Sequence, residues 1–582
     1  MFIKCDTDEA DQLCGSYKSR AQGVAQLCRY CVCPTEESDL VKAKFPDKTV
    51  KMLTTYVHDQ DTARLKAMSQ QYIKNAWYKI RFGPHNEMGV HGATPSEMLH
   101  AILLGIFLYV RTCFFVEVGI TSQLGDEIEA LAQKYGEEFG RQSDRDLPKC
   151  RFGEGGIRKG KRQAKEYRGI LLVIAAILRS QSGRDLLATN NNFAGDDRLN
   201  AWIKLVELLL QWEAYLNLPE MRLLDVLRMG HKTRHLMHLI KTVCPRETGM
   251  GWKLTKFHAL VHLAVDIRLF GVPIEFDTGS NESGHKETKA AAKLTQKDQL
   301  TFDHQTCTRL DEFLAIDLAH EELTNFALWN YHGRIATPPP KDPPPPPLPS
   351  LSGAPINIFQ DLRHGNYPVY SRGTGPLAKI PSTIAWNRDV IAFLFFLQTK
   401  LLAPKLDVRP EYKRSGQIFR GSPGYRSKFW RDWAIFDLDD KGLVPCHMWC
   451  FVSIKRAGAG IRHGGIDVVP GNYAVVERGY YVEDEAEISI SSIFVPFKKE
   501  VRAMPQGAEG WKRKFYLANL ESLQRPLAVI PNIGGNDGVQ YFIVKNRSSW
   551  GEHFSDWLAR PSANDVIGPE EPNPTISYLD LP

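Results

Sequence analysis

The hydrophobic pattern changes character along the chain. Through roughly the first 320 residues, apolar positions recur every three or four residues, the period of a helix with one buried face. This predicts helices through Leu99, Ile102, Leu103, Ile106, Phe107 and Val110, and over Ile170 to Leu178 and Trp202 to Leu218. Another opens with Phe257, Leu260, Val261 and Val265 on one face and stops at Phe270-Gly271-Val272-Pro273, where Gly and Pro interrupt it. Thr94-Pro95-Ser96-Glu97 provides a helix start, with a hydroxyl cap, Pro in the first turn and an acid against the helix dipole. Met1 to Cys5 reads as a strand. Thr337 to Pro349 (TPPPKDPPPPPLP) is a polyproline II spacer, or an SH3 or WW ligand, and marks a domain boundary. Beyond it, one or two helices are expected around Arg388 to Leu401. Then come short β-rich runs separated by turn residues, among them Trp433 to Leu438, His447 to Ile454, Tyr473 to Arg478 and Gln540 to Val544. They predict a small barrel or sandwich.

Several residues add candidate chemistry to this frame. Cys28-Arg29-Tyr30-Cys31 is a Cys-x-x-Cys knuckle, half of a tetrahedral zinc site, with Cys33 as a third ligand. His58, His85, His91 and His100 are the candidates for the fourth; buried thiols without metal are the alternative. His100 lies beside an apolar stripe, where a hydrogen-bonded core histidine is equally expected. His258 and His262 have zinc-ligand spacing, but Ala259 stands where a metalloprotease needs Glu, which argues against a hydrolytic zinc enzyme. Lys286, Lys289, Lys293 and Lys297 recur every three or four residues and predict one stripe on one helix. Such a stripe is either solvated or set against phosphate. Two further basic runs, Arg158 to Arg168 (with Lys159, Lys161, Arg162 and Lys165) and His231 to Lys241, have the same two readings. Trp430, Trp433, Trp449, Tyr473, Tyr480 and Tyr481 either pack a β core or line a groove or cage.

Composition narrows the class only a little. The 582 residues allow three or four domains, and 43% hydrophobic with 24% charged residues describes an ordinary globular chain. A net charge of +6 is mildly basic and compatible with nucleic acid. Eleven cysteines without a signal peptide read as reduced thiols plus a metal site. The most apolar runs are too short or, in Ala101 to Val118, broken by Arg111, so no membrane partner is expected.

The run from His258 through Ile267-Arg268 and Phe270-Gly271 to Asn281-Glu282-Ser283 and His285-Lys286 resembles the third-acid region of cut-and-paste DNA transposases. Within them it is most similar to the CACTA-like group and its Plavaka-type and Zisupton-type relatives. The resemblance covers roughly the first half of the chain. It implies a multidomain α+β protein: a partial ribonuclease H-like core over 1–125, a helical insertion over 126–250, and a third-acid region over 251–336 completing the core. The polyproline run and the β-rich segments themselves set a linker over 337–350 and a separate β-rich module over 351–582 after that core. The resemblance further implies that Asp6, at a strand end, and Glu282 are catalytic carboxylates holding Mg²⁺ or Mn²⁺ for strand cleavage and transfer. The Cys28/Cys31 knuckle would hold structural Zn²⁺, and Glu97-x-x-His100 would match a family motif, with Glu in place of the usual Asp or Cys. The family's first Asp would precede Met1, so the chain is expected to be truncated and inactive alone. The expected partners are DNA (transposon ends and target) and a second copy of the chain, in the nucleus. The alternative is a non-enzymatic, transposon-derived DNA- or chromatin-binding protein.

Overall fold

The computed structural model describes residues 3–17, 24–41, 45–82, 85, 87–119, 121–140, 147–150, 152, 156–160, 162–193, 195–247, 249–279, 288–298, 300–324, 349–352, 390, 393–394, 397, 407–425, 428–438, 442–455, 462–463, 466–467, 469–481, 493–499, 501–502, 512–513, 515–535 and 540–559. Lys161, Glu282, Lys286 and all but the last residue of the polyproline spacer lie outside them. In chain order the helices are α1 (Thr7–Leu13), α2 (Val50–His58), α3 (Thr62–Ala67), a π-helical run (Leu99–Phe107) leading into α4 (Leu108–Val118), and α5 (Gln123–Phe139). There follow α6 (Ala164–Arg179), α7 (Gln181–Ala188), α8 (Asp196–Leu216), α9 (Leu223–Val243), α10 (Thr255–His258) and α11 (Leu263–Phe270), then helices over Phe302–Thr324 and Arg547–Ala559. The chain is a multidomain α+β protein, helical first and β-rich later.

Two compact units are each assembled from separated segments. One comprises Met1–Phe114, Lys204–Asp277 and Arg547–Pro582; the other comprises Phe115–Ile203 and Thr278–Asn546.

In the first unit the short helices are defined by their caps. Asp6 accepts a hydrogen bond from the Glu9 N–H (2.8 Å), Thr49 from Met52 (3.2 Å) and Asp61 from Arg64 (3.0 Å). The strand expected over Met1–Cys5 is not formed by its described residues. The Ile3 N–H donates to the Ala93 carbonyl (2.7 Å), and residues 3–5 join no ladder. The Asp6 cap starts a helix at once, so the backbone has no length in which to pair. The Arg547–Ala559 helix closes this unit through polar anchors: Arg547 on buried Glu213 (2.8 Å), and Ser555 on Asp225 (2.7 Å). The stretch Leu99–Val118 has the length and apolarity of a membrane span, but 61% of its most apolar 18-residue window is buried within the protein.

In the second unit α6 carries the apolar run Ile170–Leu178, buried all round, and begins with a reciprocal cap between Gln163 and Glu166. The β-rich part is barrel-like. Strands β1 (Ser350–Ser352), β3 (Glu411–Arg414), β4 (Gln417–Tyr425) and β5 (Lys428–Arg431) form one antiparallel sheet, and β2 (Asp407–Arg409) belongs to a larger one. That larger sheet contains β6 (Trp433–Leu438), β7 (Gly442–Ile454), β10 (Gly471–Tyr481), β11 (Phe494–Lys499), β14 (Phe515–Asn519), β15 (Leu523–Pro531) and β16 (Tyr541–Val544). Two minimal ladders pair β8 (Arg462–His463) with β9 (Ile466–Asp467) and β12 (Val501–Arg502) with β13 (Lys512–Arg513).

Antiparallel pairing runs round a ring, β6–β7–β10–β11–β16–β15 and back to β6. Ring closure removes exposed edges, the liability of an open sheet. Alternate residues point inward, and Trp433, Ile435, Leu527, Val529 and Ile543 form one apolar interior with Val495 and Tyr541. Of the expected helices around Arg388 to Leu401, residues 390, 393, 394 and 397 are helical, and Val390, Leu394 and Leu397 pack with Val452, Val475 and Leu517 in a second apolar cluster.

Strand β4 crosses β7 at Gly421, where an added Cβ would lie 2.6 Å from the Trp449 carbonyl carbon and 2.7 Å from the Cys450 nitrogen. Backbone cannot yield as a side chain can, so Gly421→Ala is expected to destabilise the β-rich part by roughly 1–3 kcal/mol. Denaturant unfolding followed by tryptophan fluorescence checks this; an unchanged midpoint would contradict the crossing.

Candidate metal centre

Two short motifs far apart in sequence meet in the first unit. The knuckle from Cys28 to Cys33 is clipped to residues 46–48: Lys48 N–H donates to the Tyr30 carbonyl (2.7 Å), Val32 N–H to Pro46 (2.9 Å), and Cys31 bridges Asp47. The long helix expected from residue 256 to 270 is instead two helices. Between α10 and α11 lies a 3₁₀ turn, Ala259–Val261, which leaves His258 at the end of one helix and His262 at the start of the next. This bend aims both rings at the knuckle.

Cys28 Sγ lies 3.4 Å from His262 Nε2, and Cys31 Sγ lies 3.3 Å from His258 Nε2. The four ligand atoms all fall within 4.8 Å of one another. A tetrahedral zinc with ordinary Zn–S and Zn–N bonds spaces its ligand atoms about 3.3–3.8 Å apart; the two Cys–His pairs stand at that spacing, and the set as a whole is looser, within 4.8 Å. The group could hold a metal ion such as zinc. Second-layer contacts are also suited to that task. His258 Nδ1 donates to the Ser38 carbonyl (3.0 Å), which turns the Nε2 lone pair toward the sulfurs. The Tyr30 N–H donates to Cys28 Sγ (3.4 Å), and the Tyr30 ring stacks on His262 with centroids 4.8 Å apart.

The electrostatics set Cys28 apart from the other buried thiols, while hydrogen bonding to Cys28 and Cys33, together with burial, pushes Cys31 up. Burial pushes Cys5 and Cys14 up to about 12, leaving them protonated and inert. Burial also raises Cys28, but the Cys31 thiol and the His262 and His258 rings outweigh it and hold Cys28 well below the ordinary thiol range. Burial disfavours a charged His258, yet the Cys28 and Cys33 sulfurs raise it to about 10. A thiolate facing a protonated imidazole is a site organised for a cation, which displaces those protons on binding.

The knuckle backbone is held from behind. Lys48 is fully buried, and its ammonium donates to the Cys28 carbonyl (2.7 Å) and the Met68 carbonyl (3.1 Å). His91 bridges the Arg29 carbonyl (3.0 Å) and the Tyr78 hydroxyl (3.2 Å). Arg29 itself is buried and donates through Nε (3.1 Å) and Nη2 (2.9 Å) to the Thr94 carbonyl. Asp266, one turn after His262, accepts from the Ser96 N–H (3.2 Å) and so docks α11.

The ligand set therefore differs from the one read in the sequence. Cys33 is buried beside Pro34, its sulfur 3.3 Å from that carbonyl, and is not among the four. His100 is paired with Glu97 Oε1 (2.7 Å), His85 stacks on Phe270, and exposed His58 pairs with Asp59 (2.9 Å). The two missing ligands are His258 and His262, whose spacing was visible but whose partner was not. Lys48 gave no local signal, because a lysine in sequence looks solvated by default.

The remaining candidates fall elsewhere. Asp6 is a helix cap, with no strand to carry it. In the second unit, the helix containing Lys289 and Lys293 ends at residue 293, and Lys297 adopts a left-handed backbone (φ 59°), so the stripe is not one helix face. Lys289, Lys293 and Lys297 nevertheless line one open cleft of about 610 Å³ with Phe302 and Asp303. In the 158–168 run, Lys159 and Lys165 are exposed, whereas Arg162 donates to the Gly156 carbonyl and Arg158 pairs with Asp126 (2.5 Å). In the 231–241 run, Lys232 is buried and Lys241 pairs with Asp39 (2.6 Å). No protein-family model matches the chain, and a search of curated proteins finds no match.

Two outcomes are expected. The purified protein should carry one zinc per chain, lose it on Cys28→Ser or His262→Ala, and release it as pH falls, because protons compete for both thiolates and imidazoles. Metal analysis across a pH series checks this. Lys48→Met should retain the ligands but weaken zinc binding by about tenfold, measured by chelator competition, because the Cys28 carbonyl loses its anchor.

Proposed function

We propose that this chain is a DNA-binding protein of transposase descent, related to the CACTA-like and Plavaka-type group, that uses zinc to hold its fold. The observation that carries the zinc role is the closed set of four protein ligands, Cys28, Cys31, His258 and His262. Four side chains fill a tetrahedron and leave no position for water or substrate, which is the character of a structural rather than a catalytic zinc. The DNA reading rests on the resemblance around Glu282 and on three lysines converging on one cleft. Neutralised phosphates release counterions, so such a cleft favours a nucleic-acid backbone. Nuclear residence and self-association at paired DNA ends belong to this same reading.

Strand cleavage with Mg²⁺ or Mn²⁺ is the second reading. It is favoured by one feature: the metal centre ties the region after Asp6 to the segment that leads into Glu282. It needs a ribonuclease H-like core that presents both acids. The described residues of the first unit contain isolated bridges, Ser16 with Gln70 and Cys31 with Asp47, and no longer ladder. That core is therefore inferred from the resemblance alone, and binding without cleavage is the reading preferred.

Gel-shift titration in increasing salt is expected to give a steep slope, with Lys289, Lys293 and Lys297 changed together to Gln reducing it by about 2–3. A slope near zero for the wild-type protein would reject DNA binding. A supercoiled-plasmid assay in Mn²⁺ is expected to show no nicking; nicking abolished by Glu282→Gln would establish the enzyme instead.

A further inference from the structure

The barrel-like ring contains a charged cluster that the metal centre and the DNA reading leave unused. The ladder register places its members on one face. Trp433 is opposite His447, His447 is opposite Glu477, Lys499 is opposite Gly479, and Phe497 is opposite Tyr541. Residues two apart on a strand share a face, so Trp433, His447, Glu477, Lys499 and Tyr541 all project into the interior. Gly479 adds no side chain there and leaves that space to Lys499.

The contacts are those of a cation site. The Lys499 ammonium lies 5.3 Å from the centroid of the Trp433 ring and 5.3 Å from that of Tyr541. It donates to Glu477 Oε2 at 2.9 Å, and the same oxygen accepts from Trp449 Nε1 at 2.8 Å. His447 stacks on Trp433, with centroids 4.5 Å apart, and is held neutral: burial and then the Lys499 charge push it down to about 3. A carboxylate and two aromatic faces around one ammonium constitute the recognition chemistry for alkylammonium groups, strongest where water is excluded. Glu477 keeps 3% side-chain exposure and Lys499 11%, so the site is desolvated but not sealed.

We propose that this end of the barrel is a binding site for a methylated lysine side chain, held closed by the chain's own Lys499. Lys499 is the last residue of β11, so its side chain can leave through a change confined to the strand end. Once it leaves, the Glu477 oxygen that accepted from it and the Trp433 and Tyr541 rings that it faced can receive an incoming cation. A methylated ammonium gains more from the two rings than a bare one, because it is more weakly hydrated. Its affinity for the wild-type chain is reduced by the fraction of time that Lys499 occupies the site.

The test uses the full chain and two short peptides, identical except that one carries trimethyllysine and the other norleucine at the same position. Tryptophan fluorescence and calorimetry should show saturable binding of the trimethyllysine peptide only, and Lys499→Ala should tighten it by at least about tenfold. Trp433→Ala should abolish it. If Lys499→Ala does not fold, by circular dichroism, Lys499→Gln takes its place. Absence of saturable binding to the wild-type chain overturns the proposal. So does equal binding of the norleucine peptide, or an affinity that a folded Lys499 variant leaves unchanged.

Discussion

The closure of Cys28 and Cys31 on His258 and His262 is the contact on which the first unit depends. It joins residues separated by 227 and 234 positions, through Cys31 with His258 and Cys28 with His262. Drawing such distant segments together costs conformational entropy that grows only slowly with the length of the loop. A single metal ion can offset that cost, because its binding free energy is folding free energy when the unfolded chain has no site. The buried polar groups nearby follow from the same constraint. Lys48, His91 and Arg29 are tolerated in the interior because each satisfies or is anchored by a backbone carbonyl at the knuckle or beside it.

The β-rich part also buries charge. Its interior holds an ion pair, Glu477 with Lys499, which has a large desolvation cost. The cost is offset by packing the charges between indole and phenol faces and by crowding donors onto one carboxylate oxygen. Apolar residues fill the remainder of the interior. The polar cluster is thus a local exception inside an otherwise ordinary core, and it lies where β10, β11 and β16 meet.

Much of the architecture was legible in the residue pattern. The helical period located α6 and α8, although each begins six residues before the run expected, and Trp433–Leu438 is a strand with the boundaries expected. The choice between barrel and sandwich was not legible, because it depends on whether β15 returns to pair with β6, a contact across almost a hundred residues. At the metal centre both halves are visible in the sequence, Cys-x-x-Cys and a histidine pair, but their pairing is not. Sequence spacing reports neighbours on one element and says nothing of which elements meet. The continuous helix expected through His258 and His262 also concealed the bend at Ala259–Val261 that aims both rings the same way. Asp6 failed for a simpler reason: an acid before a helix and an acid ending a strand look alike in one sequence.

The separation of the two metal-binding motifs also sets an order on synthesis. A ribosome adding 5–20 residues per second needs roughly 10–50 s to pass from Cys31 to His258, 227 positions on. During that interval the nascent chain presents a thiol pair whose histidine partners do not yet exist. The contacts that do exist early are those with residues 46–48, including the Lys48 amine under Cys28. They can shape the knuckle within seconds of its emergence, so that a preformed two-sulfur cradle awaits its imidazoles while the intervening helices are still being made. The last piece of that unit, the Arg547–Ala559 helix, arrives later still, and until then Glu213 waits for its arginine.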